Sequence, residues 1–88
     1  MTAFEDAVTD VISRLEPGDL VTYGEVAAEA GHPGAGRAVG TLLRTSAADI
    51  PWWRVVGSGG YLRSPDWARQ ARLLTDDGVL VVKGRVSL

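Results

Sequence analysis

Cysteine is missing from all 88 residues of the chain. Its absence excludes disulfides, a thiolate nucleophile and cysteine-based zinc or iron–sulfur sites, and it argues against a small stapled secreted scaffold. Histidine is nearly missing. His32 stands alone in a Pro-Gly turn without partner ligands, so no metal or other cofactor is expected. No apolar run approaches the ~18 residues that a membrane span needs. The start, Met1-Thr2-Ala3-Phe4-Glu5-Asp6, is acidic and soon turns amphipathic, unlike a signal peptide. The expectation is a single cytoplasmic domain of bacterial type over residues 1–88, monomeric and without membrane contact. With 45% hydrophobic residues and a net charge of −2, the chain is too apolar for disorder and must fold around a core.

Lysine is scarce as well, since every base except Lys83 is arginine. Arginine's planar fork favours stacking and paired phosphate contacts over diffuse attraction. A net negative chain is unpromising for DNA, because affinity there rests largely on phosphate neutralisation. The distribution reverses that impression. Residues 1–30 hold seven acids and the single base Arg14, a balance of −6. Residues 31–75 hold Arg37, Arg44, Arg54, Arg63, Arg69 and Arg72 against Asp49 and Asp66, a balance of +4, and the tail from Asp76 to Leu88 is neutral. About half of these arginines are expected to be solvated surface; the cluster as a whole points to an anionic partner.

Two capping boxes organise the first third. Thr2-Ala3-Phe4-Glu5 opens a helix through Phe4, Val8, Val11, Ile12 and Leu15, which Pro17-Gly18 ends. After a short extended Leu20-Val21, Thr22-Tyr23-Gly24-Glu25 opens a second helix through Val26, Ala27 and Ala30; Gly31 suits its C′ position and Pro33 forbids continuation. A third helix is expected from about Ala35 to Ser46. Two short helices joined by a glycine-bearing turn suggest a helix-turn-helix. Further on, Val55-Val56 and Tyr61-Leu62 flank Gly57-Ser58-Gly59-Gly60, the pattern of a hairpin that would form a wing. Ser64 and Pro65 read as N-cap and N1 of a last helix through Trp67, Ala71, Leu73 and Leu74, closed by Asp76-Asp77-Gly78. The tail reads as a second hairpin around Lys83-Gly84, covering the core. The fold class expected is mainly α with small β hairpins, a winged helix-turn-helix.

The third helix has two unlike faces. Val39, Leu42, Leu43 and Ser46 share one side and would pack inward, while Arg37, Gly40, Thr41 and Arg44 share the other. Glycine inside a helix costs about 1 kcal/mol relative to alanine, so Gly36 and Gly40 around Arg37 ask for a reason. Close approach of another backbone is one, and it fits either a ligand or a tightly packed neighbouring helix.

The segment Ile50-Pro51-Trp52-Trp53-Arg54-Val55-Val56 carries the strongest signal. It resembles the active-site segment of the alkylguanine-DNA alkyltransferases, Pro-Cys-His-Arg-Val, with Trp52 at the cysteine and Trp53 at the histidine. An indole offers no acidic thiol and no basic nitrogen, so it cannot accept an alkyl group. The pattern is similar to the alkyltransferase-like proteins, which bind alkylated guanine in DNA without repairing it. The resemblance covers about residues 4 to 78, with Val-Thr-Tyr-Gly, Arg-Ala-Val-Gly, Pro-x-x-Arg-Val-Val, a Gly-rich turn, and Leu-Leu followed by Asp-Gly in family order.

That resemblance implies a non-enzymatic damage sensor of the alkyltransferase C-terminal-domain type. Its third helix would enter the minor groove, with Tyr23, Gly36, Arg37, Ala38, Gly40, Thr41 and Arg44 on DNA. Arg37 would fill the gap left in the base stack, and Tyr23 would push on the phosphate beside the target. The extruded base would meet a pocket of Tyr23, Trp52, Trp53, Arg54, Val55 and Arg63, with Arg63 over the guanine face as a cation–π partner. Successive residues of an extended segment face opposite ways, so Trp52 is expected toward the pocket and Trp53 partly inward. The family also implies bending of the duplex and transfer of the lesion to nucleotide excision repair proteins. Two departures stand out: Ser46 replaces the usual asparagine at the end of the recognition helix, and the segment after Leu62 is short. Asp77 matches the family's activating acid but has no histidine to orient.

Blander readings exist for each residue. Tyr23 alone reads as a half-buried packing residue, the glycines as helix packing, and Trp52-Trp53 as a core pair. The leading rival function is a winged-helix transcription regulator, which would need base-reading Asn, Gln or Lys on its recognition helix. An enzyme using Ser58 or Thr41 lacks a nearby base, and a protein-interaction domain leaves Arg37 and Arg44 unexplained.

Overall fold

The computed structural model describes residues 2–88, built from four helices and two short strands. Helix α1 spans Ala3–Ser13, strand β1 Val21–Thr22, helix α2 Tyr23–Glu29, helix α3 Gly36–Thr45, strand β2 Val55–Val56 and helix α4 Trp67–Asp76; 3-10 turns cover Trp52–Arg54 and Ser58–Gly60. Among the described residues no helix is long and apolar enough to cross a membrane.

Both capping boxes form. Thr2 and Thr22 each accept from the backbone N–H three residues on, while Glu5 and Glu25 reach back to the cap nitrogens, satisfying donors that a helix start otherwise leaves open. Gly31, at φ +88°, closes α2: its own N–H reaches Ala28 and that of His32 reaches Ala27, the paired closure only a left-handed residue permits. Gly78 ends α4 the same way, through Thr75 and Leu74.

Two apolar clusters hold the elements together. Val8, Ile12, Val26, Ala27, Val39, Ile50 and Val55 join α1, α2, α3 and β2; Val56, Leu74 and Val86 join β2, α4 and the tail, with Trp53 and Leu62 packed against them. Val39 is fully buried on α3 and Leu42, Leu43 and Ser46 half-buried, as the inward face requires.

The β structure differs from the expected wing. Val55-Val56 do not pair with Tyr61-Leu62; they run parallel to Val21-Thr22, Val21 opposite Val55 and Thr22 opposite Val56. Backbone bonds from Gly57 N–H to Tyr61 O and from Gly60 N–H to Gly57 O close the glycine loop, and Tyr61 instead bridges Arg85 in the tail. The physical reason lies at Gly60, whose positive φ turns the chain onto Val86. There the Val86 N–H bonds the Gly60 carbonyl, and a side chain on Gly60 would collide with Val86 O. The tail does turn at Lys83-Gly84, both at positive φ, with Val82 and Arg85 exchanging bonds across it. Helix α4 starts two residues later than expected: Ser64 accepts from the Asp66 N–H in a local turn rather than capping a helix. Its inward stripe is Gln70 and Leu74, while Trp67 lies on the surface.

Candidate nucleic-acid interface

The N-terminus of α2 and the length of α3 meet at two glycines. Gly36 lies against the backbone of Gly24: a Cβ there would stand 3.2 Å from the Gly24 nitrogen and 3.3 Å from its Cα. Gly36 is therefore needed for helix packing, the blander of its two readings. Gly40 is different. A Cβ on it would meet only the Tyr23 ring at 3.8 Å and the Arg44 guanidinium at 3.6 Å, ordinary contact distances. Nothing inside the fold demands glycine at position 40.

Around these glycines opens a cleft of about 680 Å³ lined by Thr22, Tyr23, Gly24, Gly36, Arg37, Gly40, Arg44, Ser58 and Arg63. Six of the residues singled out from sequence thus converge: Tyr23, Gly36, Arg37, Gly40, Arg44 and Arg63. Ala38 and Thr41 line, with Arg37, a groove on the other flank of α3. Tyr23 is half-buried, and burial raises its hydroxyl above the usual phenol value against the opposing pull of Arg44 and Arg63. The phenol stays neutral and can donate to an anion brought between those two arginines. Arg44 is steadied by a bond to Thr41 Oγ1, and the Tyr61 ring takes two guanidinium contacts, from Arg63 at 5.2 Å and from Arg85 at 4.8 Å.

The tryptophan turn sits apart from this cleft. Trp52–Arg54 is a 3-10 turn rather than extended chain, and its two indoles meet edge to face with centroids 6.2 Å apart. Trp53 packs inward on Val56, Leu74 and Val86, and its N–H donates to Asp77 Oδ2 at 3.0 Å. Asp77, which seemed to lack a group to orient, holds the residue at the histidine position after all. Arg54 and Val55 are corrections to the expected pocket. Val55 is fully buried, and Arg54, 8% exposed, turns away to bond Asp77 through Nε (2.7 Å) and Nη2 and the Leu15 carbonyl through Nη1. A guanidinium with three such bonds reads from sequence like any surface arginine, because its two partners lie 23 and 39 residues away.

Two contributors escaped sequence reasoning. Gln70, fully buried, donates from Nε2 to the carbonyls of Trp53 and Val55, pinning the turn to α4. The available signal was a polar residue four positions before Leu74, on the helix's inward stripe. Arg69, its neighbour, lies over the Trp52 ring at 5.9 Å. Among the described residues no group of three His, Asp or Glu is placed to hold a metal ion.

A helix-turn-helix with a basic cleft, an indole pair on a separate turn and no thiol defines a binding domain with no alkyl-accepting residue. The model of the 6-O-methylguanine DNA methyltransferase DNA-binding domain matches residues 3–79. The chain is 37% identical to the DNA base-flipping protein of Escherichia coli, over 90% of its own length and 64% of that protein's, so it spans somewhat under two thirds of this relative. It is 36% identical to the DNA base-flipping protein of Vibrio parahaemolyticus, covering all of itself and 93% of the relative. The crystal structure of S. pombe Atl1 in complex with damaged DNA containing O6-carboxymethylguanine superposes with a TM-score of 0.88 at 30% identity, covering 100% of this chain and 90% of that one. The chain belongs to the alkyltransferase-like, base-flipping branch of the methyltransferase DNA-binding-domain family. Having no cysteine, it has no alkyl acceptor and performs no alkyl transfer.

Proposed function

We propose that the chain senses guanine alkylated on its exocyclic oxygen within double-stranded DNA. Helix α3 enters the minor groove, Tyr23 and Arg37 turn the nucleotide out, the duplex bends, and the complex flags the lesion for nucleotide excision repair. The observation that carries this reading is the convergence of Tyr23, Arg37, Arg44 and Arg63 on one cleft whose floor is glycine. Small residues let a DNA backbone approach α3 closely, and they cannot form the bidentate base contacts of a major-groove regulator. The S. pombe relative's complex with O6-carboxymethylguanine DNA supports the lesion class.

Energetics favour the damaged base. Extrusion costs a few kcal/mol of stacking and pairing, and O6-alkylation lowers that cost by spoiling the Watson–Crick edge. Each base–aromatic contact returns about 1–3 kcal/mol, which the half-buried Trp52 supplies. Trp53, spent on Asp77, contributes only an edge.

A short duplex with one O6-methylguanine, titrated while tryptophan fluorescence is followed, should bind about tenfold tighter than its undamaged twin. Equal affinities would reject damage recognition.

A further inference from the structure

Helix α4 does more than cover the second core cluster. Its consecutive residues Arg69 and Gln70 both address the tryptophan turn: Gln70 fixes the turn's backbone through the Trp53 and Val55 carbonyls, and Arg69 sets its guanidinium 5.9 Å from the Trp52 ring centroid. The cation is therefore registered to the indole before any DNA arrives. Arg69 is also uncommitted. Among the described residues the ion pairs are Arg14 with Asp10 and Arg54 with Asp77, and Arg69 is in neither. Trp52 meets Trp53 edge to face and is only half-buried, so part of its surface stays accessible beside Arg69.

We propose that Trp52 and Arg69 together form a subsite for anionic adducts, so that a carboxylate-bearing O6 substituent on guanine is held more tightly than a neutral one of equal size. This rests on the damage-sensing reading above and names the ligand class within it. The adduct's methylene lies on the indole, and its carboxylate takes the guanidinium in forked geometry, which suits arginine better than lysine. A neutral adduct keeps the indole contact and gains nothing from Arg69. The cation–π contact with Trp52 holds the arginine in place when the site is empty.

The test is a pair of duplexes differing only in the lesion, one with O6-carboxymethylguanine and one with its neutral isostere O6-carbamoylmethylguanine. Each is titrated with the wild-type chain and with Arg69→Gln and Arg69→Lys. The wild type should favour the carboxylate by roughly fivefold, the upper range for an exposed ion pair, and the preference should shrink as salt is added. Arg69→Gln should abolish the preference while leaving affinity for the neutral adduct within about twofold. Arg69→Lys should retain part of it. A wild type indifferent to the charge, or a Gln variant that keeps the preference, overturns the subsite while leaving damage sensing intact. If neither lesion binds better than an undamaged duplex, the damage-sensing reading itself fails. Arg69 is exposed, so far-ultraviolet circular dichroism should show all three proteins equally folded.

Discussion

Asp77 gathers three hydrogen bonds from two consecutive side chains: Oδ2 takes the Trp53 indole N–H and Arg54 Nε, and Oδ1 takes Arg54 Nη2. The Arg54 bonds, aided by the indole, hold its carboxyl below the ordinary aspartate value of 3.8, and the same contact holds the guanidinium charged. A depressed carboxyl contributes stability that is fully present above its unfolded value and disappears as pH falls through the folded one. Asp77→Asn should therefore cost about 3–5 kcal/mol at neutral pH, because it leaves Arg54 buried and unpaired. Urea unfolding should also show a shallower loss of stability below about pH 4 in the variant than in the wild type. A variant with an unchanged urea midpoint would assign the pair no role in folding. The sequence made Asp77 legible as an acid by resemblance but not its indole partner 24 residues back, since a tryptophan N–H advertises no preferred acceptor until the chain is folded.

Among the elements, the helices and the extended positions of Val21 and Val55-Val56 were legible, and the pairing of the strands was not. Capping boxes, a C′ glycine and 3.6-residue periodicity are local signals, and α1, α2 and α3 formed within a residue or two of where those signals fell. The partner of a two-residue strand has no local signal: Val55-Val56 found Val21-Thr22 across more than thirty residues, while the glycine loop that imitated a hairpin was folded back onto the tail. Within α3 the two glycines should part company on mutation. Gly36→Ala pushes a methyl into the Gly24 backbone and should lose about 1–3 kcal/mol. Gly40→Ala meets only ordinary contacts and should gain stability, by up to about 1 kcal/mol of helix propensity, yet weaken DNA binding by crowding the cleft floor. Thermal unfolding read beside a duplex titration separates them. If Gly40→Ala binds as tightly as wild type, the floor of the cleft is not where DNA lies.

For the molecule as a whole, the net charge of −2 conceals a division between an acidic first third and a basic middle, and all three cleft arginines, Arg37, Arg44 and Arg63, come from that middle. Binding should weaken steeply with salt, with a log–log slope of about −3 for three to four neutralised phosphates, and Arg44→Ala should make that slope shallower by roughly one. A slope near zero would remove phosphate contact from the account. The cleft itself was legible only as separate motifs, because α2, α3 and the loop carrying Ser58 and Arg63 come together through packing that no motif records. The small parallel sheet has a last consequence. Tyr23 follows β1 directly, and Trp52 stands three residues before Val55, where β2 begins, so in the proposed function one backbone ladder sets the span between the residue that would eject a nucleotide and the ring that would receive it. Under that proposal the protein works as a calliper whose two jaws are joined by a short parallel ladder, and lesions are sorted by what fits and sticks between them.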